Sequence, residues 1–137
     1  MVGRLFAIAA LITGLLSLPA GAGDGKGVKA QPPVVTKTVP TSGDIEVDPG
    51  LKEIQVTFSK DMKTEKMWSF VQVSKETYPK TTGDPHYLDK RTIVLPVALE
   101  PGKTYILWIN KGKFNAFRDT ENYPAVPYLL VFETKQP

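Results

Sequence analysis

The chain has 137 residues, 42% of them hydrophobic and 23% charged, with 17 Lys and Arg against 14 Asp and Glu and a formal net charge of +3. It contains no cysteine and one histidine, which excludes a disulfide framework and thiolate metal sites and leaves an oxidising compartment nothing to oxidise but methionine. Lysines and carboxylates are interspersed, so the chain lacks the basic stripe that follows a phosphate backbone, and no nucleic-acid partner is expected.

The first element is a leader. Arg4 marks a short positive segment, Leu5 to Leu18 is apolar, and Pro19 precedes the small residues Ala20, Gly21 and Ala22. This order is that of a secretory signal peptide, and the apolar run is shorter than the roughly 20 residues that a bilayer-spanning helix needs. Residues 1–22 are therefore expected to be a signal peptide cleaved after Ala22, the alternative being a retained anchor. No cysteine follows that could carry a lipid, so no stable membrane insertion is expected after cleavage. The destination is the periplasm, the cell surface or the extracellular space. Cleavage lowers the charge by one to +2 and leaves on the order of 115 residues, enough for one domain with one core. Residues 23–31, rich in glycine and lysine, read as a flexible tether, and residues 32–137 as the folded domain.

From Pro32 onward, short β-branched runs alternate with turn residues every ten to fifteen positions, the spacing of a sandwich. Val34 to Val39 ends at Pro40 and the turn Thr41-Ser42-Gly43-Asp44, as an edge strand would. After the Asp48-Pro49-Gly50 turn, Glu53 to Ser59 alternates with Ile54, Val56 and Phe58 on one parity, which predicts a strand buried on one side. Lys60 to Trp68 is expected to form a short helical turn, with Met62 and Met67 filling gaps. Phe70 to Ser74 predicts a third strand. Thr81 to Pro85 reads as a loop, Tyr87 to Asp89 as a short strand, and Thr92 to Val97 as a strand with Ile93 and Leu95 inward. Leu99-Glu100-Pro101-Gly102-Lys103-Thr104-Tyr105, running into Ile106 to Asn110, has the form of a tyrosine corner, in which the Tyr105 hydroxyl bonds upstream backbone beside a Pro101-Gly102 turn. Tyr128 to Thr134 is the last strand and is expected to close the domain. The predicted fold is all-β: an immunoglobulin-like β-sandwich of about seven antiparallel strands in two sheets with Greek-key connections.

Several of these pieces together resemble a known family. Thr38 to Pro40 before a Gly-Asp turn, Ile54 to Met62, Pro101 to Tyr105, the Asp119 to Pro124 turn and the closing Phe132-Glu133-Thr134 are similar, in order and spacing, to the SbsA-type bacterial Ig-like domain. The likeness runs over essentially all of the chain after the leader. It implies a seven-stranded sandwich of secreted and cell-surface proteins, commonly repeated as a spacer or adhesive unit. This chain reads as a single copy, and it carries Glu121-Asn122 where the family has Gly-Asn. Family membership implies no active site.

Catalytic residues are not expected. Serine-type catalysis needs a base, and the one histidine, His86, lies in the turn-like Asp84-Pro85-His86-Tyr87. Glu65, Glu76, Asp84 and Asp89 are available as carboxylates, yet no spacing selects the acid–base pair that glycoside hydrolysis requires. One histidine and no cysteine do not make a closed zinc site. Asp119 to Asn122 offers a few oxygens to calcium, but a plain Asx-stabilised turn accounts for the same residues. No metal and no cofactor are expected.

Strand parity supplies a candidate binding face. If Tyr105, Leu107 and Ile109 point inward, then Ile106 and Trp108 point outward, joined by Leu129 and Val131 when Leu130 and Phe132 are core. That face is either a binding surface or is covered by the segment Phe114 to Pro127. The structural residues are taken to be Tyr105, Pro101, Gly102, Phe58 and Met62. Two functions are compatible with this reading. One is a non-catalytic envelope module that binds, adheres or spaces, with an envelope protein or a glycan as partner; the carbohydrate variant would use Trp68, Tyr78, Tyr87 or Phe117. The other is a small secreted hydrolase or enzyme inhibitor built on loop carboxylates.

Overall fold

The structure, a computed structural model, describes residues 26–137. The leader at 1–22 and the first part of the tether lie outside the described residues. Within residues 26–31, Val28–Ala30 forms one turn of 3-10 helix with no buried residue. Pro32–Pro137 forms a separate compact unit.

That unit is a sandwich of two antiparallel sheets. The eight strands are β1 (Val35–Val39), β2 (Glu53–Phe58), β3 (Phe70–Gln72), β4 (Lys80–Thr81), β5 (His86–Tyr87), β6 (Thr92–Ala98), β7 (Thr104–Ile109) and β8 (Tyr128–Glu133). One sheet has the order β1-β2-β6-β4, with β5 also on β6; the other has the order β3-β7-β8. Two short strands, β4 and β5, thus flank the loop expected at 81–85, which takes up residues 82–85, and the strand expected at 87–89 is shifted back to His86–Tyr87. They are two halves of one interrupted edge strand. Thr82 N–H donates to the Pro96 carbonyl, so the bare proline nitrogen of β6 faces the same edge, where it has no N–H to offer. The ladder stops there, and residues 82–85 leave the sheet before pairing resumes at His86↔Val94.

Period-two burial builds the core. Ile54, Val56 and Phe58 of β2 alternate with half-buried residues, and Tyr105, Leu107 and Ile109 of β7 face them across the sandwich with Leu130 and Phe132 of β8. Both parities are buried along part of β6, since Val94 is enclosed together with Ile93 and Leu95. Tyr105 and Phe132 stack with ring centroids 5.3 Å apart. At the other end, Phe117 enters the core between Phe58, 5.3 Å away, and Phe70, 5.0 Å away edge to face, a geometry that aromatic quadrupoles favour.

The helical turn expected over Lys60 to Trp68 is not present. The backbone there is committed to other segments: Met62 N–H donates to the Lys90 carbonyl and Lys63 N–H to that of Arg118, while Lys66 has a left-handed φ of 54°. Long-range bonds within the chain thus fix this backbone in a non-helical path. Met62 is buried and Met67 half-buried.

Candidate functional site

Two surfaces border the three-stranded sheet. The first is its outer face. The register pairs Val71 with Trp108, Trp108 with Leu129, and Ile106 with Val131. Partners in an antiparallel ladder share a face, so Val71-Trp108-Leu129 form one cross-strand row and Ile106-Val131 the next. Leu129 is 38% exposed and the other four are half-buried. Lys111 Nζ lies 4.3 Å from the Trp108 ring centroid, a cation–π contact worth about 0.5–1 kcal/mol at such a site. The β8 edge is occupied by the segment after β1: Gly43 N–H donates to the Val131 carbonyl at 2.6 Å, and Glu133 N–H to that of Asp44 at 2.9 Å.

The segment Phe114 to Pro127, the alternative cover for this face, is anchored elsewhere. Ala116 N–H bonds Ser69 Oγ at 2.9 Å, Thr120 N–H the Asp61 carbonyl at 3.1 Å, and Val126 N–H the Pro33 carbonyl at 3.0 Å. Phe117 and Ala125 are buried in the core. The segment closes the end of the sandwich where β2 leaves and β3 begins.

Asn110, which the sequence reading did not single out, organises this closure. It follows β7, has a φ of 61°, is buried, and bonds Phe117 and Ala125 backbone through its amide. The signal was present, since Asn tolerates the left-handed conformation at the end of a strand better than other non-glycine residues. Asn122 takes the same conformation in the Asp119 turn, with φ 73°. Asp119 is wholly buried and its Oδ1 accepts Tyr123 N–H at 2.8 Å. Its other oxygen accepts from Lys60 Nζ, which also lies 3.3 Å from Glu121. Burial opposes the Lys60 charge, but hydrogen bonds and negative charge from Asp119 and Glu121 outweigh it and raise its pKa above the usual lysine value. The Asp119 carboxylate is thus committed to a lysine and a backbone amide.

The second surface is a cleft of about 600 Å³ at the open side of the sandwich, between β3 and the residues that interrupt β4 and β5. Trp68, Phe70, Tyr78 and Phe114 line it with Gln72 and Asp84, and Leu95 of β6 is at its floor. Burial raises the Tyr78 pKa, which keeps the phenol neutral.

The remaining candidates are dispersed. Of the four aromatic residues considered for carbohydrate contact, Trp68 and Tyr78 meet at this cleft. Phe117 belongs to the core, because its segment folds inward rather than lying over the surface. Tyr87 faces inward from β5, and its buried hydroxyl has no hydrogen-bond partner among the described residues. His86 is exposed on β5, its Nδ1 3.3 Å from the Asp84 carbonyl. Among the described residues, no three His, Cys, Asp or Glu side chains gather where a metal could sit. No described helix is long and apolar enough to cross a membrane. Phe58 is buried, and the Tyr105 hydroxyl accepts Glu100 N–H at 2.8 Å. Gly102, exposed beside Pro101, has a φ of 65°.

Comparison with known proteins gives this architecture its place. The sequence profile described as a bacterial Ig-like domain matches residues 29–134. The chain belongs to the bacterial Ig-like domain family. Among solved structures, this Ig-like chain is similar to the S-layer protein rSbsC(31-844) and to domains 1–6 of surface layer protein SbsC, in each case at 21% identity with a TM-score of 0.48. Each alignment covers 80% of this chain and 14% of the other, so the chain spans about one seventh of those proteins. No curated protein matches it.

Proposed function

We propose that this Ig-like domain is a non-catalytic module of the bacterial cell envelope that binds a partner through the outer face of its three-stranded sheet. The observation that carries the reading is the pair of cross-strand rows Val71-Trp108-Leu129 and Ile106-Val131, five apolar side chains on one face, while the segment that could have covered them is anchored at the end of the sandwich. A contiguous apolar patch on the surface of a soluble domain is most useful as a contact surface. The rigid sheet beneath it holds the side chains in place without an ordering cost on binding. Export through the leader at 1–22 is part of the proposal and rests on the sequence, as does an envelope protein as the partner.

The test uses Trp108 as reporter in a Trp68→Phe background. Acrylamide should quench its fluorescence in the isolated protein, and an envelope fraction should protect it. Trp108→Lys combined with Leu129→Lys should abolish crosslinking to the envelope partner while the far-ultraviolet circular dichroism stays unchanged. A tryptophan already shielded in the isolated protein, or crosslinking indifferent to the two lysines, would overturn the proposal.

A further inference from the structure

The cleft beside β3 adjoins the outer face at Val71, which lines it, but its chemistry differs. Its aromatic side chains are of two kinds. Trp68, Phe70 and Tyr78 pack partly against the core, which fixes their ring planes, whereas Phe114 stands on the rim at 54% exposure in the tight turn closed by the Lys111–Phe114 bridge. Four of the lining residues also carry polar groups with no protein partner among the described residues: the Trp68 indole N–H, the Tyr78 hydroxyl, the Gln72 amide and the Asp84 carboxylate. These supply an indole donor, an amide that both donates and accepts, a carboxylate acceptor and a phenol that does either. Ser69 also lines the cleft, and its Oγ is already occupied by Ala116 N–H.

We propose that this cleft is a binding site for a neutral glycan. A sugar ring offers one apolar face of C–H groups that stacks on an aromatic plane and a rim of hydroxyls that both donate and accept, and the cleft presents both complements together. Its volume of about 600 Å³ lies within the range of sites that hold a small ligand. Charge narrows the class. No lysine, arginine or histidine lines the cleft, and Asp84 is the acidic residue there, so a uronate or phosphate polymer would find no cation to pair with. An extended peptide added to the β3 edge is the competing occupant. β3 is three residues long, too short to offer the run of main-chain bonds on which strand addition depends for affinity. The side chains of the cleft, rather than its backbone edge, therefore carry recognition.

The experiment uses the full chain with Trp108→Phe, which leaves Trp68 as the single tryptophan and leaves the cleft untouched. The protein is titrated with cellotetraose and with the β-1,4-linked tetramer of N-acetylglucosamine, with polygalacturonate as the anionic comparison and an alternating Thr-Val octapeptide as the strand mimic. At least one neutral tetrasaccharide should change the Trp68 emission saturably below about 10 mM, the weak but specific range. Asp84→Asn and Phe114→Ala, both at exposed positions, should each weaken that binding by about tenfold or more, equivalent to about 1.4 kcal/mol. Trp108→Lys and Leu129→Lys should leave it unchanged, which separates this site from the outer face. The inference is overturned if neither tetrasaccharide binds, if polygalacturonate or the octapeptide binds in preference to both, or if the Asp84 and Phe114 variants retain full affinity.

Discussion

The Asn110 side chain holds the backbone of Phe117 at both polar groups, its Oδ1 accepting Phe117 N–H and its Nδ2 donating to the Phe117 carbonyl, each at 3.0 Å. Nδ2 also reaches the Ala125 carbonyl at 3.1 Å. One amide thereby ties the end of β7 to both limbs of the closing segment and presses the Phe117 ring between Phe58 and Phe70. Asn110→Ala would take this partner from Phe117 N–H and the Ala125 carbonyl in the interior, the Phe117 carbonyl keeping the bond from Ala125 N–H, and force alanine into a left-handed φ. We expect a loss of about 3 kcal/mol or more in urea denaturation. Asn110→Gly removes the same bonds without the conformational strain and should lose less. Equal stability of both variants and the parent would show that the segment is held by other contacts.

Tyr87 should behave in the opposite way. Its hydroxyl is buried without a hydrogen-bond partner among the described residues, and burial raises its pKa. An unpaired buried hydroxyl costs about 1–3 kcal/mol of desolvation, so Tyr87→Phe is expected to leave stability unchanged or raise it by about 1 kcal/mol. A clear loss in the denaturation midpoint would mean that the hydroxyl has found a partner.

The Lys60–Asp119–Glu121 group predicts an alkaline limit. The lysine pKa is raised in the folded state; its contribution is therefore complete below the unfolded value of 10.5 and is lost as pH rises through the higher folded value. Lys60→Met leaves the buried Asp119 carboxylate without its cation and should cost about 3 kcal/mol at neutral pH. Stability of this variant should also fall less steeply than that of the parent above pH 10.5. Parallel pH profiles would dissociate Lys60 from the alkaline limb.

Asp61 sets a corresponding acid effect. The hydrogen bond from Arg91 Nε to its carboxylate, at 2.8 Å, holds its pKa below the usual value of 3.8. A depressed carboxylate stabilises the fold above its unfolded pKa, and that stabilisation disappears as pH falls through the folded one. Because both side chains are largely solvated, Arg91→Gln should remove a small acid-sensitive increment, read as a lower midpoint at pH 6 than the parent and a smaller difference near pH 2. A difference independent of pH would assign the effect to the Arg91 bond with the Ser59 carbonyl.

Tyr105 offers a test at the opposite end of the sandwich. Removing its hydroxyl leaves Glu100 N–H without the acceptor it uses at 2.8 Å. Tyr105→Phe should cost about 1–2 kcal/mol while preserving the stacking on Phe132. A neutral result in thermal unfolding would mean that solvent replaces the hydroxyl at Glu100.

How much of this was legible from residues alone depended on the range of the determining interaction. Alternation is a local property, and it located β2, β6, β7 and β8 and the inward parities of Ile54, Ile93 and Tyr105. The outward parity of Trp108 followed from the same rule. By contrast, Lys60 to Trp68 has the composition of a helical turn, but Met62 and Lys63 donate to residues 28 and 55 positions away, and local propensity yields to such bonds. Pro96 was visible in a strand; that its missing donor breaks β4 from β5 depends on which edge of β6 it faces.

By itself the sequence determined the class of this protein: an all-β, cysteine-free Ig-like sandwich with an apolar parity on the outside of β7 and β8, because period-two patterning and turn chemistry act over a few residues. Tertiary structure alone decided where the remaining side chains gather. It sent Phe117 into the core and left Trp108 on a half-open face, and it brought Trp68, Tyr78, Asp84 and Phe114 together at one cleft from four separate stretches of chain. The physical reason is that a closing segment goes where its buried polar groups can be paired, and Asn110, Ser69 and Asp61 provide those partners only after the sheets have packed.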